Sequence, residues 1–276
     1  MATGGHAGLR DTVDKANDSR LTFWDHLDVL RASIIRVLIA WGVVAVAWFI
    51  AMPTLFDAVI MAPCHDSFPL YGLLRRLAAL AGADGEFLSR PLQVRVINIQ
   101  LTAPFLIHIS TAFWLSVVST VPYLLWEVWR FIRPALYTQE RRGVSRAFGM
   151  GALLFYCGVA VGYFLVWPLA LRFLFTYQLS ADIANQISLN SYIDNFMMLV
   201  LCMGLAFELP LVTWLLALLG LVHRSTLRQY RRHAIVAVVI AAAIITPTGD
   251  PFTLTIVAIP LYLLYELSIR LIPPAR

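Results

Sequence analysis

Glu208 is the fourteenth residue of a 28-residue run, Asn195 to Val222, that holds no other charge. An ionised carboxylate in hydrocarbon costs roughly 2.5–3.5 kcal/mol or more, so it must be protonated, paired or facing a polar cavity. That chemistry suits a proton or solute site, a bond to a neighbouring helix, or a docking point for a polar partner. Pro210 follows in F-E-L-P and predicts a kink or a freed carbonyl beside the acid. Glu140 sits among Arg141, Arg142 and Arg146, where a surface ion pair of little energetic weight is the plain expectation. Asp25, His26 and Asp28 lie beside Leu27 and Leu30 in the stretch Phe23 to Arg31. That stretch is expected to form an amphipathic helix at a membrane interface.

Signatures of bond-making chemistry are missing from the sequence. There is no H-E-x-x-H, no G-x-S-x-G and no Walker loop. Cys64, Cys157 and Cys202 form no C-x-x-C pair and read as small buried hydrophobes. His108 is the only histidine within an apolar run, and no glycine-flanked serine accompanies it. No enzyme activity, cofactor or metal is expected.

The elements that carry these residues are apolar and long. Of the 276 residues, 60% are hydrophobic and only 13% are charged, against roughly 25% in soluble domains. A soluble globule, a disordered tail and a secreted disulfide scaffold are therefore excluded. The fold class expected is an all-α polytopic membrane protein, with residues 1–276 as a single integral membrane domain. Six transmembrane helices are predicted: Ala32 to Met52, Leu101 to Trp126, Ala147 to Leu171, Asn195 to Val222, Ala234 to Ile245, and Phe252 to about Ile269. Arg36, near the start of the first, can snorkel to the interface. Alternate connections carry 16 of the 21 Lys and Arg residues. The positive-inside rule then places both termini in the cytoplasm. Residues 1–31 form a cytoplasmic segment, 53–100 an outer-side loop, and 127–146 and 223–233 cytoplasmic loops. The net charge of +5 thus sets orientation, and no nucleic acid is expected as a partner. Five acids among the first thirty residues (Asp11, Asp14, Asp18, Asp25, Asp28) argue against a cleavable leader.

Within the outer-side loop, Tyr71 to Leu80 reads as a short amphipathic helix and Val94 to Leu101 as strand-like. The fifth and sixth spans are short. Polar flanks drawn into the interface would account for this, and so would local thinning of the bilayer. The turn T-P-T-G-D-P (Thr246 to Pro251) joins them. Gly158 and Gly162 form a G-x-x-x-G that permits close helix packing. The two halves of the chain differ, whereas an inverted-repeat transporter would show similar ones.

Four stretches, taken in order, resemble the TatC family, the receptor subunit of the twin-arginine translocase. H-L-D-V-L-R (His26 to Arg31) is similar to the family's H-L-x-E-L-R. W-x-F-I-x-P-A-L-Y-x-x-E-R-R (Trp129 to Arg142) is the most specific match. F-E-L-P (Phe207 to Pro210) matches the fourth span, and T-P-T-G-D-P-F with A-I-P-L-Y-L-L-Y-E (Thr246 to Glu266) the last two. The resemblance covers residues 20 to 272. It implies a bacterial inner-membrane receptor for signal peptides with two consecutive arginines. Such a receptor would work with the single-span subunits TatB and TatA, as a homo-oligomer in the receptor complex, and export folded proteins on the protonmotive force.

By the same resemblance, the signal-peptide carboxylate falls on Glu140, within Phe131, Pro134, Leu136 and Tyr137. Asp25, Leu27, Asp28, Leu30 and Arg31 complete that surface. Partner docking falls on Glu208, Thr246, Pro247, Asp250 and Leu254, and Pro63 in M-A-P shapes the outer cap. Three positions depart from the family pattern. Val29 replaces the glutamate of H-L-x-E-L-R, so Asp28 or Asp25 would supply the charge for the second arginine. Leu254 stands where a glutamine is frequent, and Glu127 stands where glutamine is common, adding acidity to the cytoplasmic face. The competing reading is a small-solute secondary transporter or channel with Glu208 as its site.

Overall fold

The computed structural model describes residues 23–80, 94–133, 141–177, 180, 185–246 and 249–272. Among the described residues, five helices are long and apolar enough to cross a membrane: Leu27–Cys64, Ala103–Ile132, Gly143–Thr176, Leu189–Leu218 and Pro251–Leu271. Helix α1 (Phe23–Leu55) is continuous. The stretch Phe23 to Arg31 is therefore not a separate interfacial helix, as expected, but the first turns of α1. At 33 residues, α1 is about 50 Å long and outreaches the roughly 30 Å hydrocarbon layer. Helix α2 (Pro69–Leu80) is the amphipathic helix read in the loop. Strand β1 (Val96–Ile97) lies within the strand-like stretch and pairs in parallel with β2 (Ile187–Ser188). Next along the chain come α3 (Ala103–Ile132), α4 (Arg141–Val161) and α5 (Trp167–Thr176). The remaining helices are α6 (Leu189–Ala206), α7 (Leu209–Leu218), α8 (Arg224–Gln229), α9 (Arg231–Ile245) and α10 (Pro251–Leu271).

Two helices change the reading of the last spans. Helix α9 has 15 residues, about 22 Å, and falls short of the membrane thickness. Helix α10 has 21 residues, about 31 Å, and is full length. The sixth span is thus not short. Asp250 caps it two residues before the expected start, and the helix runs intact past Pro260 to Leu271.

Helix α1 packs on α3, α3 on α4 and α6, α4 on α6, and α10 on both α7 and α9. Ile35, Leu38, Ile39, Val43, Val46 and Ile50 of α1 are exposed, an apolar stripe suited to lipid. Glycines set the α4–α6 distance. A Cβ at Gly158 would lie 2.6 Å from the Met203 carbonyl oxygen, and one at Gly204 2.8 Å from the Phe155 ring. The G-x-x-x-G is therefore a contact surface. Gly158→Leu is expected to lower stability by about 1–3 kcal/mol or more by overpacking. Thermal unfolding in detergent reads this, with Gly42→Ala, which meets open space inside α1, as the control that loses no stability.

Irregular backbone occurs where side chains can serve it. Pro53 lies inside α1, so the Phe49 carbonyl four residues earlier lacks its helical donor. His108 Nε2–H of α3 donates to it at 2.7 Å, with the imidazole stacked on the Phe49 ring at 4.1 Å. A π-turn at Phe56–Ile60 follows α1. Tyr163 hydroxyl donates to the Val59 carbonyl (2.8 Å) and Tyr192 hydroxyl to that of Ile60 (2.6 Å). Trp167 packs edge to face on both Tyr192 and Phe196 beside them.

Candidate functional site

The end of the bundle where α1 begins also holds the end of α3, the start of α4 and the end of α10. Helix α3 ends at Ile132, with Arg133 still helical in backbone and its amide bonded to the Trp129 carbonyl. Trp129 of α3 packs on Phe148 of α4 at 5.7 Å, in a buried cluster with Val144 and Leu211. Across the α1–α3 seam, Glu127 is 3% exposed and accepts from Arg36 Nε (2.9 Å) and Nη2 (2.8 Å). Arg36 Nη2 also donates to Ser33 Oγ, and the Tyr123 hydroxyl donates to Glu127 Oε1. Glu127 is thus a buried ion-pair member, not added surface acidity. Arg36 is anchored across the seam rather than free at the interface. Sequence reasoning missed this pair because its members are 91 residues apart.

Asp28, Arg31, Leu27 and Leu30 are exposed on the first turns of α1, and Asp25 lies one turn earlier. Phe131 is half-buried near the end of α3. Pro134, Leu136, Tyr137 and Glu140 lie outside the described residues, as does Pro247. Glu140 immediately precedes the first residue of α4, Arg141. The chain therefore brings the H-L-D-V-L-R stretch and the junction of α3 and α4 to one end of the bundle.

Glu208 marks a true break. Helix α6 ends at Ala206, and Glu208 caps α7, with Pro210 in the first turn. The carboxylate is buried, and neither oxygen has a hydrogen-bond partner. Gly151 faces it closely: a Cβ there would lie 3.0 Å from Glu208 Oε2 and 2.5 Å from Leu211 Cδ2. The helical pair runs Leu189–Leu218, six residues earlier than the sequence run, because Ser188 caps it with its side chain. Glu208 is therefore not at the centre. It lies four to five residues past it, about 7 Å toward the end where α1 begins.

At the opposite end, Asp250 Oδ1 accepts from the Thr253 amide at 2.7 Å and starts α10. Gly249 takes a positive φ of 59° just before it. Thr246 is buried and its hydroxyl donates to the Ala242 carbonyl. Leu254 is half-buried against the main core. Asp250→Ala is expected to cost about 0.5–2 kcal/mol by loss of the cap, while Asp250→Asn keeps it. Unfolding midpoints of the two variants check this. Arg231 and Glu266, at 2.8 Å, tie α9 to α10 at their other ends. The Pro63 carbonyl accepts from the Tyr71 hydroxyl at 2.9 Å, which also reaches the Pro168 carbonyl. Burial pushes the Tyr71 phenol up from its ordinary value, so it remains a neutral donor, with the Arg172 guanidinium 5.4 Å above its ring.

Residues 25–260 match the family model described as Sec-independent protein translocase protein (TatC). The chain belongs to the TatC family. It is 31% identical to the TatC protein of Blattabacterium sp. over 258 residues, covering 92% of this chain and 96% of that one. It is 36% identical to the Escherichia coli K12 protein over 179 residues, 63% of this chain and 67% of that one. A crystal structure titled as the twin arginine translocase receptor TatC superposes with a TM-score of 0.71 at 31% identity, over 90% of this chain and 99% of that one. The chain is thus a multi-pass membrane protein and a subunit of the Tat protein translocase. Within the TatC fold, Glu127, paired with Arg36, and Glu208, without a hydrogen-bond partner, are buried carboxylates.

Proposed function

We propose that this chain is the receptor subunit that binds twin-arginine signal peptides and starts the export of folded proteins. It does so in the bacterial inner membrane with TatA and TatB, as a homo-oligomer, driven by the protonmotive force. In this reading α9 is the sixth, short membrane span beside the five long ones, and both termini are cytoplasmic. The observation that carries it is the convergence of two stretches at one end. Exposed Asp28, Leu27 and Leu30 of α1 lie at the end where the Arg36–Glu127 pair holds α1 to α3, whose continuation carries Glu140. Carboxylates beside apolar side chains suit a basic segment followed by an apolar one, the layout of a signal peptide. Glu208 and the turn that holds Thr246, Pro247, Asp250 and Leu254 would then engage partner helices.

Purified chain in proteoliposomes tests this directly. A labelled peptide with consecutive arginines ahead of an apolar stretch should bind saturably, with no solute flux through the chain alone. Flux without peptide binding would favour a transporter with Glu208 at its site.

A further inference from the structure

Arg36 and Glu127 are unequal halves of one ion pair. The Glu127 side chain is 3% exposed and that of Arg36 37%. The carboxylate is thus the fixed half, held further by the Tyr123 hydroxyl and with Arg130 Nη1 at 4.0 Å. The guanidinium is the half that can leave, since a long arginine stem reaches the polar boundary readily. Beside the pair runs a groove of about 210 Å³ lined by Leu30, Ile34, Leu38, Leu124, Val128 and Phe131, with Glu127 and Ser33 in its wall. Val29, Ser33 and Arg36 share one face of α1 at helical spacing. Glu127 presents its carboxylate to Arg36 on that face from the opposite helix, two turns further along α1 from Val29, where the family's glutamate is missing.

We propose that Glu127 is a second arginine-binding carboxylate of the signal-peptide site, and that Arg36 holds it until the signal's own arginine takes its place. The proposal rests on the receptor reading above. Exchange of one guanidinium for another leaves the charge of the seam unchanged, so the fixed carboxylate is never stranded. A planar guanidinium recovers both hydrogen bonds, which an ammonium does not, so the site selects arginine over lysine. The neighbouring groove accepts the first apolar side chains that follow the arginines.

The test is the affinity of wild-type chain, Glu127→Gln and Arg36→Gln, in lipid nanodiscs, for an Arg-Arg signal peptide and its Lys-Lys counterpart. Glu127→Gln should weaken the Arg-Arg peptide by about tenfold or more and shrink its advantage over Lys-Lys. Arg36→Gln vacates the carboxylate and should tighten Arg-Arg binding. Equal weakening by both variants, with the arginine preference intact, overturns the proposal and leaves a helix clamp. If either single variant unfolds, the double charge swap Arg36→Glu with Glu127→Arg decides. Restored binding in the swap means a clamp, and continued loss of arginine preference supports the site. Wild-type binding that depends on Glu140 while these variants behave as a clamp defeats this inference alone. Absence of wild-type binding defeats the receptor reading and this inference with it.

Discussion

Glu140→Ala is expected to abolish crosslinking of a twin-arginine signal peptide while the chain still inserts and folds. The helices on either side of Glu140 are held by Trp129, Val144, Phe148 and Leu211, and none of that packing needs the carboxylate. Its loss therefore acts on the ligand. A hydrogen bond to a charged group contributes roughly 1.5–3 kcal/mol, and a bidentate pair with arginine sits at or above the upper end. That alone is about a hundredfold in affinity, before any cooperation between the two arginines. Photo-crosslinking in membranes, with protease protection as the insertion control, reads both. Undiminished crosslinking would remove Glu140 from the site.

Glu208→Gln carries the second large effect, and it runs in opposite directions for stability and transport. The carboxylate is buried without a hydrogen-bond partner, a cost the folded chain carries by itself. A neutral amide of nearly the same shape lowers that cost, so unfolding temperature should hold or rise. Under the proposed docking of a partner helix at Glu208, transport should fall. Export of a folded reporter measures one side and calorimetry in detergent the other. Full export with raised stability would return Glu208 to a structural role. Gly151 packs closely on the acid and on Leu211: a Cβ there would lie 3.0 Å from Glu208 Oε2 and 2.5 Å from Leu211 Cδ2.

Long apolar runs made the spanning helices legible in the sequence, since length and composition alone determine them. The helix at Pro69–Leu80 and the strand at Val96–Ile97 followed from local periodicity. The pair Arg36–Glu127 did not, because a lone arginine near a helix start reads as snorkelling until the opposite helix is known. The position of Glu208 shifted for a similar reason. Hydropathy marks where charges stop, whereas Ser188 decides where the helix starts. The full length of α10 was hidden by Pro251 and Pro260, which a helix tolerates in its first turn and in a packed interior. Residue types alone do not announce a π-turn, so Phe56–Ile60 had no sequence signal.

The carbonyls of Phe49, Val59 and Ile60 are each met by a side-chain donor from another helix. Left open, each would be a foothold for water inside the membrane, and a chain of such footholds conducts protons. His108, Tyr163 and Tyr192 remove those footholds while leaving the backbone bent. A membrane translocase subunit has to satisfy its backbone polar groups wherever its helices depart from regular geometry. In this chain the donors come from the side chains that pack against the irregular turns themselves.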